Sequence, residues 1–213
     1  GGSVRKRGAG TLLFSGANSF SGGITVEAGT LRGDNTGSGE LTVTGGTFDL
    51  NGGDRSFSQV TLAGGLITNS SGGNGNYIGG PFIAQAGTLA ARMGTSSGMI
   101  KESTGTVVLT GGNTFLGGTT ISNGTLFLNS PGTLASSVTV TGGTFSGNGT
   151  VNASVTVLSG TLNPGLTNGT LTITNAFTLG SDGTLRIEIA GTNSSTQVDR
   201  VSVGGPITLA GTL

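Results

Sequence analysis

The stretch Lys6 to Arg32, KRGAGTLLFSGANSFSGGITVEAGTLR, returns at Lys101 to Phe127 as KESTGTVVLTGGNTFLGGTTISNGTLF. The two align without a gap at an offset of 95 residues. Gly10, Thr11, Gly16, Asn18, Phe20, Gly22, Gly23, Thr25, Gly29, Thr30 and Leu31 all recur. Their counterparts include Gly105, Thr106, Asn113, Phe115, Gly117, Gly118, Gly124, Thr125 and Leu126. Working outward, Leu41 to Gly52 (LTVTGGTFDLNG) matches Val138 to Gly149 (VTVTGGTFSGNG) at an offset of 97. The chain of 213 residues therefore reads as one continuous segment, 1–213. It holds two super-repeats of about 95 residues, about 6–100 and 101–196, and a final partial coil. Self-similarity at a fixed period is the mark of a repeat architecture.

A shorter beat runs inside the long one. A Gly-Thr-apolar triplet or a near variant begins at Gly10, Gly29, Gly46, Gly65, Gly87, Gly105, Gly124, Gly143, Gly160, Gly183 and Gly211. The last interval is irregular, and Gly205-Pro206-Ile207 is expected to supply a rung there. Between the beats lie short alternating runs, such as Ile24-Thr25-Val26, Leu41-Thr42-Val43-Thr44 and Leu171-Thr172-Ile173-Thr174. Period two is a strand signature, with Leu, Ile and Val facing in and Thr facing out. Gly-Gly and Asn-Gly punctuate the runs and mark turns that need positive φ. No window free of glycine carries a helical period. Short strands at this spacing suit a sandwich or a barrel. A motif returning in register every ~19–20 residues favours a β-solenoid, each strand stacking on its equivalent one coil away. The expectation is an all-β, single-stranded parallel β-helix of about ten to eleven coils. At ~4.8 Å per coil that is a rod roughly 50 Å long. Phe20 and Phe115, and Phe48 and Phe145, hold equivalent positions and are expected in its core.

The run from Gly10 to Leu31, GTLLFSGANSFSGGITVEAGTL, resembles the autotransporter-associated β-strand repeat, also called the passenger-associated transport repeat. Its pattern is GxGTLxLSGxNxYSGGTTVxxGTL, and Phe20 stands where that pattern often has Tyr. Gly105 to Leu126 is a second copy. The resemblance implies a right-handed β-helix in a large bacterial surface or secreted protein, of the kind that carries or projects other domains. It implies no catalysis and no cofactor. Neither a signal peptide nor a membrane barrel is present in this stretch of sequence, so any export signal or anchor is expected outside it.

Composition narrows the field further. Lys and Arg number 9, Asp and Glu number 9, and the formal net charge is zero. There is no His and no Cys, which removes imidazole- and thiolate-based zinc sites, Ser-His triads, Cys nucleophiles and disulfides. Phosphate binding needs clustered cations, and the longest basic run is Arg5-Lys6-Arg7, so no nucleic-acid partner is expected. No apolar stretch reaches the ~18 residues of a membrane span.

The carboxylates Glu27, Asp34, Glu40, Asp49, Asp54, Glu102, Asp182, Glu188 and Asp199 are scattered. Glycoside cleavage needs two across one bond, and Asp49 with Asp54 is the nearest approach to such a pair. Arg32 and Asp49 follow Leu31 and Phe48 in successive beats and read as a cross-strand ion pair. Gly72 to Ile78 (GGNGNYI) resembles a lone calcium-binding nonapeptide without its carboxylate and reads as a Gly-rich loop. Thr42/Thr44, Thr139/Thr141 and Thr172/Thr174 do not form an unbroken threonine array. The Asn residues of the N-x-[ST] triplets, such as Asn69, Asn123 and Asn148, read as turn formers.

Three functions remain open. The first is a non-enzymatic stalk supporting adhesion or display at a bacterial surface. The second is a filament subunit stacking head-to-tail through open ends, with Leu12, Leu13 and Phe14 at one end and Val201 and Val203 at the other. The third is a binder or degrader of polysaccharide. The corresponding partners are the chain itself, neighbouring segments of a longer chain, or a host or surface polysaccharide.

Overall fold

The computed structural model describes residues 1–15, 18, 21–33, 39–52, 56–72, 76–165, 169–193 and 197–213. Every regular element in it is a strand. The alternating runs behave as their period dictates. In Ile24–Val26 and Leu41–Val43 the outer residues are buried and the central Thr is half-buried. Each strand pairs in parallel with its equivalent one coil away, so the chain winds into a three-faced parallel β-solenoid.

The first face can be followed by its outward residues: Arg5, Thr25, Thr42, Thr61, Ile83, Ile100, Thr120, Thr139, Thr156, Thr178 and Thr208, eleven rungs in register. Ile83 and Ile100 interrupt the threonines, as the sequence indicated. The second face carries the Gly-Thr-apolar triplets. Val138–Gly147, Val155–Pro164 and Phe177–Leu185 each run through the corner and serve both faces, so the two form one 18-stranded sheet. The third face is a separate sheet of eight strands, so about eight coils have all three sides among the described residues, rather than ten or eleven. The full count of eleven is reached on the first face alone.

Two details differ from the sequence reading. Ile207–Leu209 is indeed a rung, but on the first face, where Ile207 faces Phe177, and not as another Gly-Thr-apolar triplet. Of the Gly72 to Ile78 stretch, residues 73–75 lie outside the described ones, and Asn76–Ile78 is a strand of the third face between Ser56–Phe57 and Met93–Thr95.

Leu, Val, Ile and Phe fill the lumen. Phe48, Phe115 and Phe145 are fully buried, as expected of core residues. Phe20 lies outside the described residues. Phe48 meets Phe57 edge-on at 5.7 Å, and Phe82 meets Phe115 at 5.5 Å, separations at which aromatic pairs add to area burial.

The triplet glycines have a steric cause. At the corner between the first two faces, Gly143 has φ 64° and Gly160 has φ 87°. A Cβ on Gly143 would lie 2.6 Å from the Gly124 carbonyl oxygen, and one on Gly160 would lie 2.5 Å from that of Gly143. The Gly124 oxygen already accepts the Thr144 N–H at 2.8 Å. Backbone stacks on backbone along this corner, and a side chain has no room.

Candidate functional site

The aligned copies begin at Lys6 and Lys101, and the structure gives both the same unusual place. Each occupies an inward position of the first face, where the neighbouring coils have Val26 and Ile121. Lys6 is buried and Lys101 is 0% exposed. The corner that follows is longer than the one stacked on it: Lys101 and Thr106 are five residues apart, whereas their partners Ile121 and Thr125 are four apart. The extra residue throws backbone carbonyls inward, and the ammonium takes them up. Lys6 Nζ donates to Gly8 O at 2.7 Å, Ala28 O at 3.0 Å and Arg7 O at 3.1 Å. Lys101 Nζ donates to Asn123 O and Ser103 Oγ, each at 3.1 Å, and to Ser103 O. Among the described residues neither ammonium pairs with a carboxylate. Burial pushes the pKa of Lys101 below its ordinary value. The lysines aligned at the start of the two copies are the sequence signal for this device, and in the first copy Lys6 sits inside the basic run Arg5-Lys6-Arg7.

The remaining motif positions are structural in their contacts. Asn113 is fully buried; its Oδ1 accepts the Met93 N–H at 3.0 Å and its Nδ2 donates to Gly111 O at 3.1 Å, tying two coils together. Asn18 is its counterpart. Gly118 and Gly23 have φ 87° and 86° where the chain enters the first face. Thr11, Thr30, Thr106 and Thr125 open second-face strands, with Leu31 and Leu126 fully buried one residue on. Gly10, Gly29, Gly105 and Gly124 precede those threonines, and Gly22 and Gly117 precede the positive-φ glycines.

Charge is concentrated on the outer surface of the first copy. Arg32 Nε lies 3.2 Å from Asp49 Oδ2 and 2.8 Å from Asn51 Oδ1, and its Nη2 donates to Ser70 Oγ at 2.7 Å. Asp49 Oδ1 accepts the N–H groups of Asn51 and Ser70 at 3.1 and 2.9 Å, and its Oδ2 accepts the Ser70 hydroxyl at 2.7 Å. Burial alone would raise the Asp49 pKa, but the bonds from Ser70 and Asn51 and the Arg32 charge outweigh it and hold it low. A carboxylate so fixed is a poor general acid, and Asp54 and Asp34 lie outside the described residues. Glu27 bridges Arg5 and Arg7. Burial opposes its ionisation, and the two guanidinium groups nonetheless hold its pKa below the ordinary value. Among the described residues, no three acidic side chains converge as a metal site would require. Leu12 and Leu13 are exposed at one end of the stack, where Phe14 is half-buried; Val201 and Val203 are half-buried near the other.

A continuous parallel solenoid, built on a repeated GTL…N…GG…GTL unit with a lysine-closed corner, defines a passenger-type β-helix. The passenger-associated-transport-repeat family matches at residues 4–32 and 99–126, the two copies that open on Lys6 and Lys101. The chain is an autotransporter passenger repeat protein. It is similar to the adhesin BmaC autotransporter of Brucella suis biovar 1 (strain 1330), 32% identical over an alignment of 238 residues. That alignment takes in 99% of this chain and 6% of the adhesin. No solved structure matches.

Proposed function

We propose that this segment is a rigid, non-enzymatic stalk of a bacterial surface or secreted passenger, supporting adhesion by holding binding regions away from the cell. The observation that carries the reading is the unbroken first-face ladder, eleven rungs from Arg5 to Thr208. Backbone hydrogen bonds run along the rod axis, and the apolar lumen excludes water, so bending the rod breaks many contacts together. The relative described as an adhesin supports a surface role. The test is an in-phase deletion of Lys6 to Ile100 in the parent protein, which joins Arg5 to Lys101 in the context of its counterpart. The variant should fold and reach the surface. Its rod should be shorter by five rungs, ~24 Å, and its adhesion weaker in proportion to lost reach. Unchanged adhesion, or a lost catalytic activity, would overturn the reading.

A second reading is head-to-tail assembly, favoured by the apolar side chains at one end: Ile207, Leu209 and Leu213 are 57%, 50% and 77% exposed. With Val201 and Val203 they could meet Leu12, Leu13 and Phe14 of another copy. The next coils of a longer chain would cover the same surface. Negative-stain electron microscopy over a concentration series separates the two, as filaments or as separate rods.

A further inference from the structure

The same outer column of the second face carries different chemistry in the two copies. In the first copy it reads Leu13, Arg32, Asp49, Thr68. In the second it reads Val108, Phe127, Ser146, Asn163. The first column closes on itself through the Arg32–Asp49–Ser70 network. In the second copy Phe127 replaces the guanidinium, Ser146 replaces the carboxylate, and the face is left open. A cavity of about 570 Å³ lies there, lined by Thr106, Thr125, Thr144, Phe127, Ser146 and Asn163 among others. A second cavity of about 420 Å³ shares Thr144 and Asn163 and continues past Thr161 and Thr184 to Arg186. Together they make one groove along the rod.

We infer that this groove binds an uncharged oligosaccharide lying parallel to the rod axis. Four observations converge. First, one wall is a threonine ladder, Thr106, Thr125, Thr144, Thr161 and Thr184, each facing the next across adjacent coils. Four steps of ~4.8 Å span roughly 19 Å, a length that suits a linear polymer of hydroxylated rings. Second, the floor is apolar where Val108 and Phe127 lie, and Phe127 is 7% exposed. A sugar offers such a floor its C–H face while its hydroxyls reach Thr, Ser and Asn, each able to donate and accept. Third, Asn163 borders both cavities, and its Oδ1 is shielded from solvent with no hydrogen-bond partner among the described residues. A buried amide oxygen without a partner is uncommon, and a turn of the Asn163 side chain towards the groove would let a ligand hydroxyl satisfy it. Fourth, among the described residues no carboxylate lines either cavity, and the one lining cation, Arg186, is paired with Glu188 at 3.2 Å.

An extended peptide suits the groove less well. The Thr125 and Thr144 N–H groups already donate to Gly105 and Gly124 one coil away, so this face offers side chains and no free strand edge for added pairing. The inference goes beyond the stalk reading, which needs no ligand.

The experiment is a glycan array carrying neutral and acidic oligosaccharides, followed by titration calorimetry of any hit on the purified chain. The expected result is binding of a neutral oligosaccharide at submillimolar to millimolar concentration. The double variant Phe127→Arg/Ser146→Asp installs the first copy's pair. It should weaken binding by about tenfold or more while leaving the urea midpoint close to wild type, and Asn163→Ala should weaken it as well. Binding untouched by both variants, binding of acidic glycans alone, binding of peptides instead, or no neutral glycan bound at millimolar concentration would each overturn the inference. None of these outcomes bears on rod length or surface reach, the readouts that test the stalk.

Discussion

Arg32 and Asp49 stand on adjacent coils, one directly over the other, with Nε 3.2 Å from Oδ2 and the carboxylate accepting three further hydrogen bonds from Asn51 and Ser70. Exposed ion pairs contribute little, but here Asp49 is buried and its partners include two backbone N–H groups. Those amides, more than the Arg32 charge, make the side chain matter.

The Asp49 pKa is depressed in the folded chain, so its stabilisation is complete above the ordinary value of 3.8 and drains as pH falls through the lower folded-state value. Wild type and Asp49→Asn should therefore converge in urea midpoint between about pH 5 and about pH 2. Asp49→Ala, which strands both amides, should cost about 1–3 kcal/mol near neutral pH. Parallel pH profiles for wild type and Asp49→Asn would refute the assignment.

Lys101 titrates in the opposite region. Its folded-state pKa lies below 10.5, so at alkaline pH the unfolded chain holds more protons than the folded one. Stability should rise as pH climbs through the folded-state value towards 10.5. The rise should be absent from Lys101→Met, which keeps the volume and removes the charge. Lys101→Ala should be less stable than Lys101→Met, by the cost of a core cavity, about 2–5 kcal/mol. Urea midpoints of the three proteins across the alkaline range decide it.

The fold was legible because the chemistry that builds a coil is local. Alternation in Ile24-Thr25-Val26 names a strand, the glycine before Thr144 names a corner, and the offset between Arg32 and Asp49 places one over the other. The asparagines read as turn formers divide: Asn123 accepts the N–H of the next residue, Gly124, whereas Asn69 and Asn148 reach the neighbouring coil and accept the N–H groups of Gly52 and Ser130. What the sequence hid depends on the environment of a side chain. Lysine is so often exposed that Lys101 reads as surface until the longer corner beside it is seen. The groove beside Phe127 was hidden for a related reason. It exists because two substitutions, against Arg32 and Asp49, fall on one column and remove a closing network, and neither residue has the look of a binding site.

Asn113 shows how much one motif side chain can hold. Its amide joins Met93 N to Gly111 O in a fully buried setting. Asn113→Ala leaves the Met93 N–H without its acceptor, while Gly111 O keeps the Thr133 N–H at 3.1 Å, and should cost about 1–3 kcal/mol, from one stranded buried group. Asn113→Asp keeps the acceptor, loses the donor and buries a carboxylate, so it should recover stability as pH is lowered and the acid is protonated. Asn113→Ala within 0.5 kcal/mol of wild type, roughly the spread of surface substitutions, would show that the contact is dispensable.

The glycine corner gives the sharpest contrast, because one motif position has two different surroundings. Gly143 needs φ 64°, and its Cβ would press on the Gly124 carbonyl at 2.6 Å. Gly143→Ala should lose about 1–3 kcal/mol from the left-handed backbone alone, and more because the Gly124 oxygen cannot retreat without releasing Thr144 N. Gly10 opens the same triplet, yet its φ is not positive and nothing lies within 4 Å of its absent Cβ. Gly10→Ala should be neutral or stabilising by up to about 1 kcal/mol, through the lower entropy of the unfolded chain. Paired urea denaturations of the two variants measure the difference directly. Equal losses would mean that the triplet glycine is required by something other than stacked backbone, since only Gly143 has a carbonyl against it.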